Sequence, residues 1–162
     1  FETFIVDDVV SAVDTCYRVA ARALIGSSMG GHGALTILAR HPDLFMGAGS
    51  IAGVMDLASV AGNWGTTEIL GPYSGNERLW RGHSFVGLAE RLTGKGKALI
   101  LECGSSDPAV EGNRQAHALL EELGIEHEYR ERAGRHTPQF VAASVEHHIA
   151  TLAKACSEAA RQ

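Results

Sequence analysis

Residues 26 to 34 read Gly26-Ser27-Ser28-Met29-Gly30-Gly31-His32-Gly33-Ala34, directly after the short apolar stretch Ala23-Leu24-Ile25. An apolar run of that length, closed by glycine, has the pattern of a buried parallel strand bounded by a turn. Gly26 to Gly30 has the form Gly-x-Ser-x-Gly. With a strand before it and a helix after it, that form seats a serine on a sharp, strained strand-to-helix turn. Glycines two positions to either side of Ser28 remove side chains that would collide in so tight a turn, and Gly31, Gly33 and Ala34 let the next helix approach the sheet. The backbone N–H of Met29 would then face an oxyanion forming at the serine. The competing reading is a phosphate-binding glycine turn, or a tight turn with no chemistry.

A serine hydroxyl needs a base to take its proton, and the base needs an acid to orient it. Downstream, Lys97 to Cys103 reads as a strand, and Asp107 follows four residues after Cys103. That is the C-terminal end of a strand, where catalytic groups of a parallel sheet collect; the competing role for Asp107 is to cap the helix that starts after Pro108. His136 sits between a polar strand over His127 to Arg132 and a helix announced by Thr137-Pro138. Among eight histidines it is the best-placed base. His32 lies just past the serine turn and is expected to touch the pocket or the sheet. Adjacent His147 and His148 lack the spacing that puts two ligands on one helix face, so no metal and no cofactor are expected. Cys103 is a rival nucleophile without a turn to present it.

The rest of the chain supports an α/β fold. Ile5 to Tyr17 carries apolar residues at helical spacing, a helix runs from the serine turn to about Arg40, and Phe45 to Ile51 is a second short strand. Ala116, Leu119, Leu120 and Leu123 mark a helix closed by Gly124. Val141, Val145, Ile149, Leu152 and Cys156 lie on one face of the last one. Strands alternating with helices predict a mostly parallel sheet covered on both faces. Residues 53 to 96 hold no period for long and read as an excursion, expected to form a cap or insertion over the site, with Trp64, Tyr73, Trp80 and Phe85 either lining a pocket or packing together.

Composition sets outer limits. The 162 residues are 45% hydrophobic and 20% charged with a formal net charge of −5, which suits one globular domain and disfavours nucleic acid or an anionic membrane as partner. A small-molecule substrate fits better, and self-association as a homo-oligomer stays open. Three widely spaced cysteines indicate neither a disulfide framework nor a zinc site, and read as buried thiols.

Several ordered blocks carry a resemblance: Gly26 to Leu35, His41-Pro42-Asp43-Leu44-Phe45, Glu102-Cys103-Gly104-Ser105-Ser106-Asp107, Asn113-Arg114, Gly124 to Tyr129 and Gly134-Arg135-His136. The chain resembles the putative esterase family of α/β-hydrolases, related to S-formylglutathione hydrolase (esterase D), feruloyl esterases and mycolyltransferases. That resemblance implies Ser28 as nucleophile, Asp107 as acid, His136 as base, and a small-molecule ester as substrate. It leaves an acyltransferase using the same triad, or a non-catalytic binding module, as rival readings. Thr137-Pro138-Gln139 stands before Phe140 where family members often carry an aromatic close behind the histidine. A complete domain of this type runs to roughly 250 residues. Phe1 is therefore expected to be internal to a longer domain whose first strands and second oxyanion donor lie upstream, leaving compartment, cytoplasmic or secreted, unassigned. These 162 residues alone are expected to be aggregation-prone and weakly active.

Overall fold

The computed structural model describes residues 1–161. Wide π-helical turns over Phe4–Val9 lead into α1 (Val10–Cys16), followed by β1 (Ala23–Ser27), α2 (Met29–Arg40) and β2 (Gly47–Ile51). The excursion contains two 3-10 turns, Leu57–Val60 and Ala89–Leu92, and the short helices α3 (Thr66–Leu70), α4 (Glu77–His83) and α5 (Phe85–Leu88). The chain then returns as β3 (Ala98–Gly104), α6 (Val110–Glu122), β4 (Glu128–Arg132) and α7 (Pro138–Ala159).

The four strands pair in parallel in chain order, β1-β2-β3-β4. Side chains of a strand alternate between faces, and that alternation sorts the helices. Leu24, Ala48, Leu99 and Leu101 join the core formed with Leu35 and Leu38 of α2 and Ala116 and Leu120 of α6. Their strand neighbours face α7 on the other side: a Cβ on Gly49 would come within 2.4 Å of His148 Nδ1, and one on Gly47 within 2.9 Å of Leu152 Cδ2. The small residues of β2 therefore let the longest helix lie close against the sheet.

The buried face of α7 differs from the one hydrophobicity picks. Phe140, Ser144, His148 and Leu152 are buried, whereas Ile149 is 53% exposed. Ser144 and His148 are polar residues with a buried polar partner, Glu102 of β3, so an apolar count selects the stripe one position further on. The N-terminal helix also differs. Ile5, Val6 and Val10 rest on the core, but Val13, Cys16 and Tyr17 are exposed because no described element packs over them. Cys16 is thus exposed, Cys103 buried and Cys156 between the two.

The excursion splits in two. Val54, Leu57 and Trp80 form a small cluster of their own, while Phe85, Leu88, Ala89 and Leu92 enter the main core beside α2. No described helix is long and apolar enough to cross a membrane.

The close seat of α7 gives a stability prediction. Gly49→Ala forces a methyl into the space held by the buried His148 ring and should destabilise the fold by about 1–3 kcal/mol, the usual cost of overpacking. Urea unfolding of the variant beside the parent measures it.

Candidate active site

The site begins with a backbone conformation. Ser28 stands between β1 and α2 at φ +54° and ψ −122°, a region that costs a non-glycine residue of order 1–3 kcal/mol. Its N–H donates to the Ile51 carbonyl at 2.9 Å and its own carbonyl accepts from His32 N at 3.1 Å, so the turn is tied both to β2 and to the helix that follows. Gly26 is required by close approach, since a Cβ there would lie 2.1 Å from the Gly30 carbonyl oxygen. Gly31 is required because a Cβ would lie 2.4 Å from Ser50 Oγ. Gly30 and Gly33 are not: their missing Cβ atoms meet open space, so only Gly26 and Gly31 of the expected set serve the tight turn and close packing. Met29 opens α2, and the first N–H groups of a helix have no acceptor within it.

Three side chains converge at this turn. His136 Nε2 lies 3.1 Å from Ser28 Oγ, and His136 Nδ1 lies 2.8 Å from Asp107 Oδ2. With Nδ1–H donating to the carboxylate, Nε2 is left as the acceptor for the serine hydroxyl. The Asp107 side chain is fully buried while that of His136 is 45% exposed. Both carboxylate oxygens of Asp107 are engaged. Its Oδ1 accepts from Ala109 N at 2.8 Å, fixing the turn into α6, while Oδ2 faces the imidazole.

The two loops that carry the acid and the histidine are joined by their backbones. Ser105 N donates to Arg132 O and Ser106 N to Gly134 O, each at 2.9 Å. Thr137 caps α7 by accepting from Phe140 N, which stops the chain one residue beyond the imidazole. Cys103 is fully buried, and that burial, reinforced by the Asp107 charge, pushes its thiol up to about 12. A neutral thiol of that kind is a poor nucleophile.

Ser28, Asp107 and His136 open on a cavity of about 560 Å³. Val54, Met55, Val60 and Trp64 give it apolar surface, with Asp56 and Glu111 among its polar groups. Asn113, fully buried, holds the cavity's near side by donating to Gly53 O at 2.9 Å and Ala109 O at 2.8 Å. It stood in one of the sequence blocks, but its role depends on a contact 60 residues away.

Comparison with known proteins gives the chain a family. The family described as Putative esterase matches residues 1–151. The chain belongs to it. Among curated proteins, this esterase-family chain is 26% identical over 132 residues to a diacylglycerol acyltransferase/mycolyltransferase Ag85B of Mycobacterium leprae (strain TN), covering 73% of this chain and 40% of that protein. Among solved structures, a ferulic acid esterase superposes with a TM-score of 0.80 at 21% identity, over 96% of this chain and 61% of its own. An S-formylglutathione hydrolase from Agrobacterium tumefaciens gives 0.68 at 20% identity, over 93% of this chain and 57% of its own. The chain thus spans between 40% and 61% of the length of these relatives, and the structural likenesses establish a shared α/β-hydrolase fold.

Trp80 and His32, for each of which contact with the pocket is one of two readings of the sequence, do not line this cavity. Trp80 is fully buried and donates Nε1–H to Gly71 O at 3.2 Å, with Tyr73 edge-on against it at 5.8 Å. It is core of the excursion because α4 turns it inward onto Val54 and Leu57. His32 donates Nε2–H to the His83 carbonyl at 2.7 Å and does not line the cavity. Its position on α2 carries it round to α4, and burial holds its pKa below the usual histidine value. Trp64, by contrast, lines the cavity, 70% exposed and at φ +51°.

The asymmetry of the turn can be measured. Gly26→Ala should destabilise by at least about 1–3 kcal/mol because the atom it strikes is backbone, whereas Gly30→Ala, with open space for its methyl, should stay within about 1 kcal/mol of the parent. Parallel chemical denaturation of the two variants decides it; equal effects would mean the turn is not packed as described.

Proposed function

We propose that this chain carries the catalytic centre of a serine carboxylic-ester hydrolase. One observation carries the reading: an unbroken relay from Ser28 through His136 to Asp107, set on a strained strand-to-helix turn that opens on a cavity. In this reading Ser28 Oγ attacks the ester carbonyl carbon while its proton passes to His136 Nε2. The carbonyl oxygen gathers negative charge beside the Met29 N–H at the positive end of α2. Collapse expels the alcohol, which takes the proton from Nε2, and leaves an acyl group on Ser28. Water, deprotonated by the same nitrogen, then releases the acid. Asp107 keeps the imidazole in the tautomer that accepts from serine and stabilises it when it carries two protons. No cofactor enters any step.

Residues 53–96 form the cap of the site in this scheme, with Val54, Met55, Val60 and Trp64 binding the apolar part of a small ester. A second reading, acyl transfer to an alcohol by the same triad, is supported by the similarity to the mycolyltransferase. The two separate in one assay: adding a small alcohol acceptor yields a new ester if transfer dominates and free acid if hydrolysis does.

The catalytic assignment is tested on the full chain with a fluorophosphonate probe and a short-chain p-nitrophenyl ester. Ser28→Ala should abolish labelling and lower turnover at least about 1,000-fold, while Ser27→Ala keeps both. His136→Ala and Asp107→Ala should each be severe yet add nothing further when combined with Ser28→Ala, since the three act as a unit. Labelling that survives Ser28→Ala would remove the assignment. Trp64→Ala should instead raise KM several-fold with kcat near parental, as expected where uniform binding is lost.

A further inference from the structure

Behind the site, on the α7 face of the sheet, lies a polar cluster built around Glu102, whose side chain is completely buried. It accepts from Arg132 Nε, from Ser144 Oγ at 3.0 Å and from His148 Nε2 at 3.2 Å, with Arg130 Nη1 at 3.5 Å. Burial pushes this carboxyl up, but the hydrogen bonds from Arg132 and Ser144 and the charges of both arginines outweigh it and hold the group ionised, below its ordinary pKa. Breaking up such a buried charged cluster is costly, since removing one partner leaves another without compensation.

Arg132 is the member that reaches the site. Its Nη2 donates to Phe140 O at 3.1 Å and Ser144 Oγ at 2.8 Å, and its guanidinium carbon lies 4.0 Å from the Phe140 ring centroid. The ring in turn closes on the histidine loop, for a Cβ on Gly134 would lie 2.3 Å from Phe140 Cδ2. On the loop's other side a Cβ on Gly104 would lie 2.6 Å from the Gly134 carbonyl carbon. The segment that ends in His136 is therefore clamped between the end of β3 and a ring that Arg132 and Glu102 hold in place.

We propose that Glu102, Arg132 and Phe140 are positioning residues that set the His136 imidazole against Ser28 and Asp107. None of the three lines the cavity containing the Ser28 hydroxyl. They act through the loop, and the inference rests on the triad reading given above. Arg130 supplies an internal comparison: it meets the same carboxylate and Glu128, and no hydrogen bond or ion pair joins it to Phe140 or the histidine loop.

The test compares Arg132→Met, Arg132→Lys, Phe140→Leu and Arg130→Met in the full chain. Turnover is expressed per site titrated with fluorophosphonate, so that unfolded molecules do not count. Arg132→Met should lower kcat by about 10- to 100-fold, the loss expected from a misplacement of about 1 Å, with KM within about threefold. Arg132→Lys, which keeps a cation for Glu102, should recover part of the loss. Phe140→Leu should follow Arg132→Met, and Arg130→Met should match the parent. A second readout needs no activity: the downfield proton resonance of the His136 to Asp107 hydrogen bond should be present in the parent and Arg130→Met and broadened or lost in Arg132→Met. An inert, unlabelled parent that shows this resonance would sink the esterase reading alone. Parental kcat per site, or a parental resonance, in Arg132→Met overturns the positioning role, as does an Arg130→Met variant as impaired as Arg132→Met.

Discussion

Ser28 holds a backbone conformation it would not choose, and everything that makes the site usable is arranged to keep it there. The turn is bonded on one side to the Ile51 carbonyl of β2 and on the other, through His32 N, to the first turn of α2. Gly26 lets the backbone double back to Gly30 with no side chain between them. The strain is of order 1–3 kcal/mol, small beside the burial of α2, whose Leu35 and Leu38 are wholly enclosed. The helix cannot relax the turn without leaving the core. On the esterase reading proposed above, holding the hydroxyl in this way is the preorganisation that ester chemistry asks of a nucleophile.

The same sheet that carries the serine also sorts the supporting groups. Leu99, Leu101 and Cys103 of β3 face α6, and the alternate residues Ala98, Ile100 and Glu102 face α7. One strand thus feeds an apolar core on one side and a charged cluster on the other before ending in the loop that holds Asp107. The neighbouring strand repeats the scheme, with Tyr129 packed against the core and Arg132 turned to Glu102. The loops that carry Asp107 and His136 leave adjacent, parallel strands in register, so their separation starts from the inter-strand spacing of about 4.8 Å rather than from the loops themselves.

Much of this was legible in the residues. A strand, a glycine-flanked serine and a helix occur within 18 positions, and Asp107 and His136 each follow a strand and precede a helix, so local patterns were enough to nominate them. What could not be read depends on register. Glu102 looks like an interruption in an apolar strand until β3 and β4 are paired, with Glu102 opposite Arg130 and two positions from the level of Arg132. The stripe on α7 was displaced for the same reason, because Ser144 and His148 are buried by polar partners that no hydrophobicity measure counts. Trp64 and Trp80 could not be told apart, as the excursion has no period to say which faces inward. Only the turn of α4 onto Val54 and Leu57 separates them.

The hydrogen bond between Ser28 and His136 joins residues 108 positions apart, the one between His136 and Asp107 residues 29 apart. Sheet order equals chain order, so a chain emerging from the ribosome can complete β1, the serine turn and α2 long before its last strand and helix exist. Throughout that interval Ser28 lacks both His136 and Asp107. The contacts of His136 with Ser28 and Asp107 form only when β4 and α7 dock, and a molecule in which α7 has come away would keep the serine turn and lose the imidazole beside it.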